Sequence, residues 1–166
     1  GVTGKILCSF AKKIVDDGGF LHGHTYASNP MSCAVASAVL SEIYNNNLIS
    51  NSASMGKYLK EGLEDLAKKS KIIGDVRGLG LLLAIEIVAN KGTKEIFDDK
   101  LRAVYRLAEI GMENGILLYT RKTANGAFGE WLMITPPLIC TTKEIDLLLK
   151  LLSITIDIFE KETGFY

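Results

Sequence analysis

From residue 30 onward, apolar residues recur at intervals that separate helix from strand. Asn29-Pro30 offers an N-cap residue and then proline at the first helical position, where a missing N–H costs nothing and the fixed φ suits a helix. A helix is therefore predicted from Pro30 to about Asn45. Its early residues Ser32, Cys33, Ala34, Ala36, Ser37 and Ala38 are small, so another backbone could approach closely along that side. Asn45-Asn46-Asn47 interrupts the pattern. Met55, Leu59, Leu63 and Leu66 follow at helical spacing and predict a second, one-sided helix from about Ser52 to Lys69.

Val76 and the run Leu81 to Val88 read as strand, while Gly74, Gly78 and Gly80 mark turns or close backbone approach. Asp98 to Asn114 is predicted helical with Leu101, Val104, Tyr105 and Ala108 inward and Gly115 as the stop. Ile116 to Tyr119 predicts a short strand, TRKTANGAFGE a surface loop, and Trp131 to Thr135 a neighbouring strand ended by Pro136-Pro137. Thr141 with Glu144 forms a capping-box signature for a last helix that turns Ile145, Leu148, Leu149, Leu152, Ile156 and Phe159 inward. The order α-α-β-α-β-β-α predicts a compact α/β fold around a small antiparallel or mixed sheet. Ahead of it, residues 1–28 carry an apolar patch at Ile6, Leu7 and Cys8, a polar turn at Asp16-Asp17-Gly18-Gly19 and a glycine-bearing loop GFLHGHTYASNP.

A length of 166 residues allows one domain, or one domain with a remnant of another. With 48% hydrophobic and 23% charged residues the chain can bury a core. Nineteen basic and nineteen acidic side chains cancel, so the strong basic field of a general nucleic-acid binder is missing and no nucleic-acid partner is expected. Three cysteines, Cys8, Cys33 and Cys140, fit neither a disulfide framework nor a CxxC pair, which makes a reducing cytoplasm the simplest location. The most apolar run, Leu79 to Ala89, carries Glu86 and is too short to span a bilayer, so no membrane partner is expected. The chain opens on Gly1 instead of Met and has no signal-peptide layout, which suggests a processed product or an excised piece.

Several residues invite chemistry. GVTGKI approaches a phosphate-binding loop, but Ile6 stands where a hydroxyl is required, and Gly78 and Gly80 precede a strand instead of opening a helix. His22 and His24 lack a third nearby ligand and are read as hydrogen-bonding loop residues, with no metal expected. Thr25 is different: a hydroxyl in a loop just ahead of a helix can donate to a phosphate oxygen, although such a threonine often only caps its own backbone. Arg77 beside Asp75, and Glu86 within an apolar strand, are assigned to structural ion pairing. Arg121 ends a strand and begins a loop, from which its guanidinium could clamp a carboxylate in bidentate fashion, whereas Lys122 reads as a solubilising charge.

Taken together, GFLHGHTYASNPMSCAVASAVL, IIGDVRGLGLLLAIEIV and ITPPLICTTKEIDLLLKLL resemble the C-terminal part of class III aminotransferases, pyridoxal-phosphate enzymes of fold type I. The resemblance covers nearly the whole chain. It implies a homodimer with the active site between subunits, an amine or amino acid and a 2-keto acid as substrates, and pyridoxal 5'-phosphate as cofactor. Residues 1–29 would end the large domain with the HTY loop, and residues 30–166 would form the interdomain helix and the small domain. Thr25 matches the HTY threonine that reaches the cofactor phosphate of the opposite subunit, and Arg121 matches the arginine that binds the substrate carboxylate. The lysine that bonds the cofactor, its ring-nitrogen aspartate and its glycine-rich phosphate turn belong to the large domain of this family. Lys5 follows Gly4 and precedes Ile6, which does not fit that lysine, so all three groups are expected upstream of Gly1. No catalytic residue is assigned here, and the isolated chain is expected to be inactive. The alternative is a stand-alone α/β module for small-molecule binding or dimerisation.

Overall fold

A computed structural model of the chain describes residue 23 and residues 25–122 and 129–165. It divides into two units, residues 1–41 and 42–166, each taken by itself below. In the first, the described residues form a turn and begin helix α1, Pro30–Asn45, none of whose residues is buried. The expected N-cap forms: Asn29 Oδ1 accepts a hydrogen bond from Ser32 N–H at 3.1 Å.

The second unit is two-layered. Helix α2, Leu48–Lys69, leads to strands β1, Ile73–Leu79, and β2, Leu82–Ile87, and then to a single 3-10 turn, Asp99–Leu101. Helix α3, Ala103–Glu113, strands β3, Tyr119–Lys122, and β4, Glu130–Ile134, and helix α4, Thr142–Thr163, complete it. The sheet is antiparallel throughout, in the order β1-β2-β4-β3. Alternation sends Leu83, Ile85, Ile87, Leu132 and Ile134 to one face. There they meet Leu59 and Leu63 of α2, Leu107 and Ile110 of α3, and Leu152, Ile156 and Phe159 of α4 in one core. No described helix is long and apolar enough to cross a membrane.

Polar groups fasten the layers where backbone would otherwise be stranded. The Glu160 carboxylate of α4 accepts from Ser70 Oγ at 2.7 Å and from the backbone N–H groups of Lys71 and Ile72 at 2.6 and 3.3 Å, on the approach to β1. Lys91 Nζ donates to the carbonyls of Ala67 and Ser70 at 2.6 and 2.8 Å, placing a cation on the C-terminal end of α2. At the start of α4, Glu144 accepts from both the N–H and the hydroxyl of Thr141, each at 2.8 Å, as the capping-box signature predicts.

The α/β architecture agrees with the sequence reading; several element boundaries do not. The segment read as one strand is a hairpin: β1 and β2 pair Leu79 with Leu82 across Gly80-Leu81. Gly80, at φ 56°, supplies the positive φ that a two-residue hairpin turn needs at its first central position. Helix α2 begins at Leu48 instead of Ser52, because Asn47 alone takes a left-handed conformation (φ 52°) and Leu48 is buried. Its stretch Ser50-Asn51-Ser52, uninviting by propensity, is held from outside: Asn51 Nδ2 donates to the carbonyls of Leu138 and Cys140 at 2.7 and 3.1 Å. The helix expected from Asp98 is broken at Arg102 (φ 48°), which resets its phase. Leu101 and Tyr105 consequently lie exposed, while Ala103, Val104, Leu107 and Ile110 face the core.

Gly115 (φ 88°) ends α3 as predicted, with Ile116 N–H bonded to Gly111 O and Gly115 N–H to Met112 O, the Schellman pattern. Strand β3 starts three residues later than expected, at Tyr119. Its partner β4 runs out at Ile134 ahead of the two prolines, so Ile116 and Leu117 have no strand to pair with.

The hairpin tip touches α2 through glycine on glycine. A Cβ on Gly56 would fall inside the contact distance of the Gly80 backbone, and Ser52 Oγ accepts from Leu81 N–H at 3.3 Å on the same side. Gly56→Ala must therefore push the helix off the hairpin. It is expected to lower stability by about 1–3 kcal/mol, the usual cost of overpacking, read as a fall in the urea or thermal midpoint with unchanged helical content.

Candidate functional site

The face of the sheet turned away from the core carries the functional candidates. Alternation along β1 and β2 brings Asp75, Arg77, Ala84 and Glu86 to it, and along β4 and β3 brings Trp131, Met133, Tyr119 and Arg121. Between Ile73 and Asp75 the register shifts, a bulge at Gly74. That extra residue lets Ile73 and Val76, an odd number of residues apart, both serve the covered face while Asp75 and Arg77 serve the open one.

Two features dominate this open face. On β1 and β2, Arg77 Nη1 bonds Asp75 Oδ2 at 2.8 Å and Glu86 Oε2 at 2.9 Å, so the two carboxylates share one guanidinium, consistent with the structural role read from sequence. The Arg77 hydrogen bond holds the Asp75 carboxyl below the ordinary carboxylate range. Beside this cluster lies an open apolar hollow of about 410 Å³ lined by Arg77 to Leu79, Leu82 to Ala84, Trp131 and Met133.

Arg121 stands on β3, directly opposite Trp131 of β4. It is exposed, and its guanidinium carbon lies 5.0 Å from the centroid of the Tyr119 ring, one step back on the same face. The ring's electron-rich surface favours the cation there. Tyr119 in turn sits 6.5 Å from Trp131, ring to ring. Arg121 thus lies within β3, one residue before its end, and presents an exposed fork of donors above an aromatic floor, with no hydrogen-bond partner among the described residues.

Thr25 belongs to the other unit. It is exposed in the turn that precedes α1, where Asn29 N–H bonds Tyr26 O at 3.2 Å and Ser28 takes a positive φ of 63°. His22, His24, the opening GVTGKI and residues 123–128 of the polar loop lie outside the described residues.

Sequence reasoning missed one cluster. Lys122, taken as a solubilising charge, points to the covered face. Only 13% of its side chain is exposed, and it bonds Glu130 Oε1 at 2.9 Å and the Asp99 carboxylate. These two acids raise the Lys122 pKa, Asp99 most and Glu130 next. Glu130 is 1% exposed, and its second oxygen has no hydrogen-bond partner among the described residues. The signal was present, since Lys122 and Glu130 flank one polar connection, but the register that makes them neighbours was not readable through it. Tyr119 could have been found, as it shares the period-two face of Arg121.

The sequence matches the aminotransferase class-III family over residues 8–156. An uncharacterized aminotransferase of Schizosaccharomyces pombe is 35% identical over 153 residues, 92% of this chain and 33% of the relative. The crystal structure of a transaminase from the marine bacterium Virgibacillus is similar with a TM-score of 0.79 at 30% identity, over 89% of this chain and 32% of that one. A PLP-bound amine transaminase from an uncultivated Pseudomonas species gives a TM-score of 0.72 at 30% identity, over 83% of this chain and 30% of that one. The chain spans about a third of the length of the curated relatives it matches.

The Asp75–Arg77 pair yields a test by pH. Because the native Asp75 pKa is lowered, its contribution is complete above the unfolded value, near pH 4, and is lost as pH falls through the native value. Arg77→Gln is expected to reduce stability at pH 6 and to approach the parent protein as the medium is acidified below about pH 4. Urea denaturation at a series of pH values checks this; a constant difference would remove Asp75 from the account.

Proposed function

This chain belongs to the class-III aminotransferase family, and on that premise we propose that it forms part of a pyridoxal-phosphate-dependent enzyme. That enzyme moves an amino group between an amine or amino acid and a 2-keto acid. The observation that carries the reading is the extent of the family match, which runs through both the turn bearing Thr25 and the strand bearing Arg121. Two copies of the full-length protein would build the working dimer, with each site between subunits.

The residues present fit the share of such a site that they would supply. Thr25 offers an exposed hydroxyl four residues before a capped helix start, suited to donate to an anionic phosphate oxygen. Arg121 offers an exposed guanidinium, suited to a planar carboxylate. When bound, pyridoxal phosphate supplies the electron sink for the chemistry at the carbon that bears the amino group. The chain's own part is to anchor and orient. Thr25 of one subunit holds the phosphate in the site of the other, and Arg121 fixes the carboxylate end of an amino acid or keto acid so that its reacting carbon is presented in one orientation. An amine without a carboxylate makes no use of Arg121, whose guanidinium then keeps its place over Tyr119.

Two substitutions in the full-length protein test these roles. Thr25→Ala is expected to weaken cofactor retention by about 1.5–3 kcal/mol, the value of a hydrogen bond to a charged group, with the fold intact. Equilibrium dialysis against pyridoxal phosphate measures it, and unchanged affinity would reduce Thr25 to a loop cap. Arg121→Ala is expected to raise KM for carboxylate substrates much more than for simple amines. Equal changes for both classes would end the clamp reading.

A further inference from the structure

The Lys122–Glu130–Asp99 cluster lies immediately behind Arg121 and is not explained by stability. Lys122 and Glu130 face each other directly as the last paired positions of β3 and β4 before their connection. Both point into the covered layer, Glu130 with 1% exposure, and one of its oxygens has no partner among the described residues. Removing an ion pair from water costs about what the pair returns. Two apolar side chains there, continuing the Thr120–Leu132 pair on the same face, would hold the strands together at least as well.

What the charges add is discrimination between registers. The connection, residues 123–129, is too long for a turn type to dictate the pairing. A slip by one residue would move every β3 side chain to the opposite face. Arg121 would then enter the covered layer, Lys122 would leave it, and the buried Glu130 carboxylate would lose its counter-charge. Apolar residues at 122 and 130 would not penalise that slip so heavily. Asp99, from the 3-10 turn Asp99–Leu101, holds Lys122 from a third element and so ties β3 to the segment ahead of α3.

We propose that the Lys122–Glu130–Asp99 triad is a positioning device for Arg121: it fixes the pairing of β3 with β4 so that the guanidinium emerges on the open face, and it thereby governs selectivity for carboxylate-bearing substrates. The inference rests on the clamp reading of Arg121 and extends it to residues that never touch substrate.

The test uses the full-length holoenzyme with pyruvate as the carboxylate substrate and benzylamine as an amine without a carboxylate. Glu130→Gln is expected to raise KM for pyruvate about ten-fold, equivalent to about 1.4 kcal/mol of lost binding, while KM and kcat for benzylamine stay within about two-fold of the parent. Lys122→Arg, which keeps the cation, is expected to behave as the parent does. The double variant Lys122→Leu with Glu130→Leu separates positioning from stability. Its thermal midpoint is expected to equal or exceed that of the parent, while its pyruvate KM rises and the amides of Thr120 and Leu132 exchange with solvent faster than those of the β1–β2 hairpin. A double variant with parental pyruvate KM overturns the proposal, as does a Glu130→Gln effect equal for both substrates. Arg121→Ala with unchanged pyruvate KM overturns the clamp itself. A selective Arg121→Ala effect alongside inert triad variants overturns the triad alone.

Discussion

The second unit depends on a sheet whose three helices all pack on one face. Four antiparallel strands place Leu83, Ile85, Ile87, Leu132 and Ile134 against three helices, and because side chains alternate, the same strands must offer a second, differently composed row to the other side. Burial of the first row is the main stabilising term; the identity of the second row is then free to serve another purpose. Its content is mixed: an ion cluster at Arg77, an apolar hollow beside it, and an aromatic strip under Arg121. Nothing in the core requires such a mixture. The bulge at Gly74 shows how closely the two rows are managed, since one inserted residue keeps both in phase along β1.

Polar satisfaction is concentrated where the helical layer meets the strands. Glu160 gathers the loose N–H groups at the approach to β1, and Lys91 closes the carbonyl end of α2. These contacts join residues about 90 and 20 positions apart in sequence, so they form only once the layers are assembled and they reward the correct assembly. Glu130 is the exception: it is enclosed, and among the described residues one of its carboxylate oxygens has no hydrogen-bond partner. A buried ion pair beside a functional candidate departs from the apolar pattern of the layer at a site where geometry matters more than stability.

Long-period features were legible in the chain, and features set by tertiary partners were not. The inward residues of α4, its capping box and the glycine that ends α3 follow from local rules and appear as expected. The start of α2 at Leu48 was hidden because Asn51 and its polar neighbours are poor helix formers; the carbonyls of Leu138 and Cys140 that hold Asn51 lie far along the chain. Within residues 73–87 the glycines marked a turn or a close approach, but the apolar run from Leu81 did not reveal that Leu79 and Leu82 pair across Gly80-Leu81 as a hairpin. Arg121 could be singled out from its place beside a polar loop. Lys122 could not, because its burial follows from a pairing across that loop which no periodicity in the sequence reveals.

Strand β3 is the outermost member of the sheet among the described residues, where one side of its backbone has no neighbouring strand. Bare strand margins invite foreign strands to add on, and charge is a common protection. Arg121, exposed on this outer strand, sets a positive charge beside that margin, whereas Lys122 is turned inward and paired with Glu130 and Asp99. The side chain proposed as a carboxylate clamp is therefore also the charge that stands guard at this margin of the sheet.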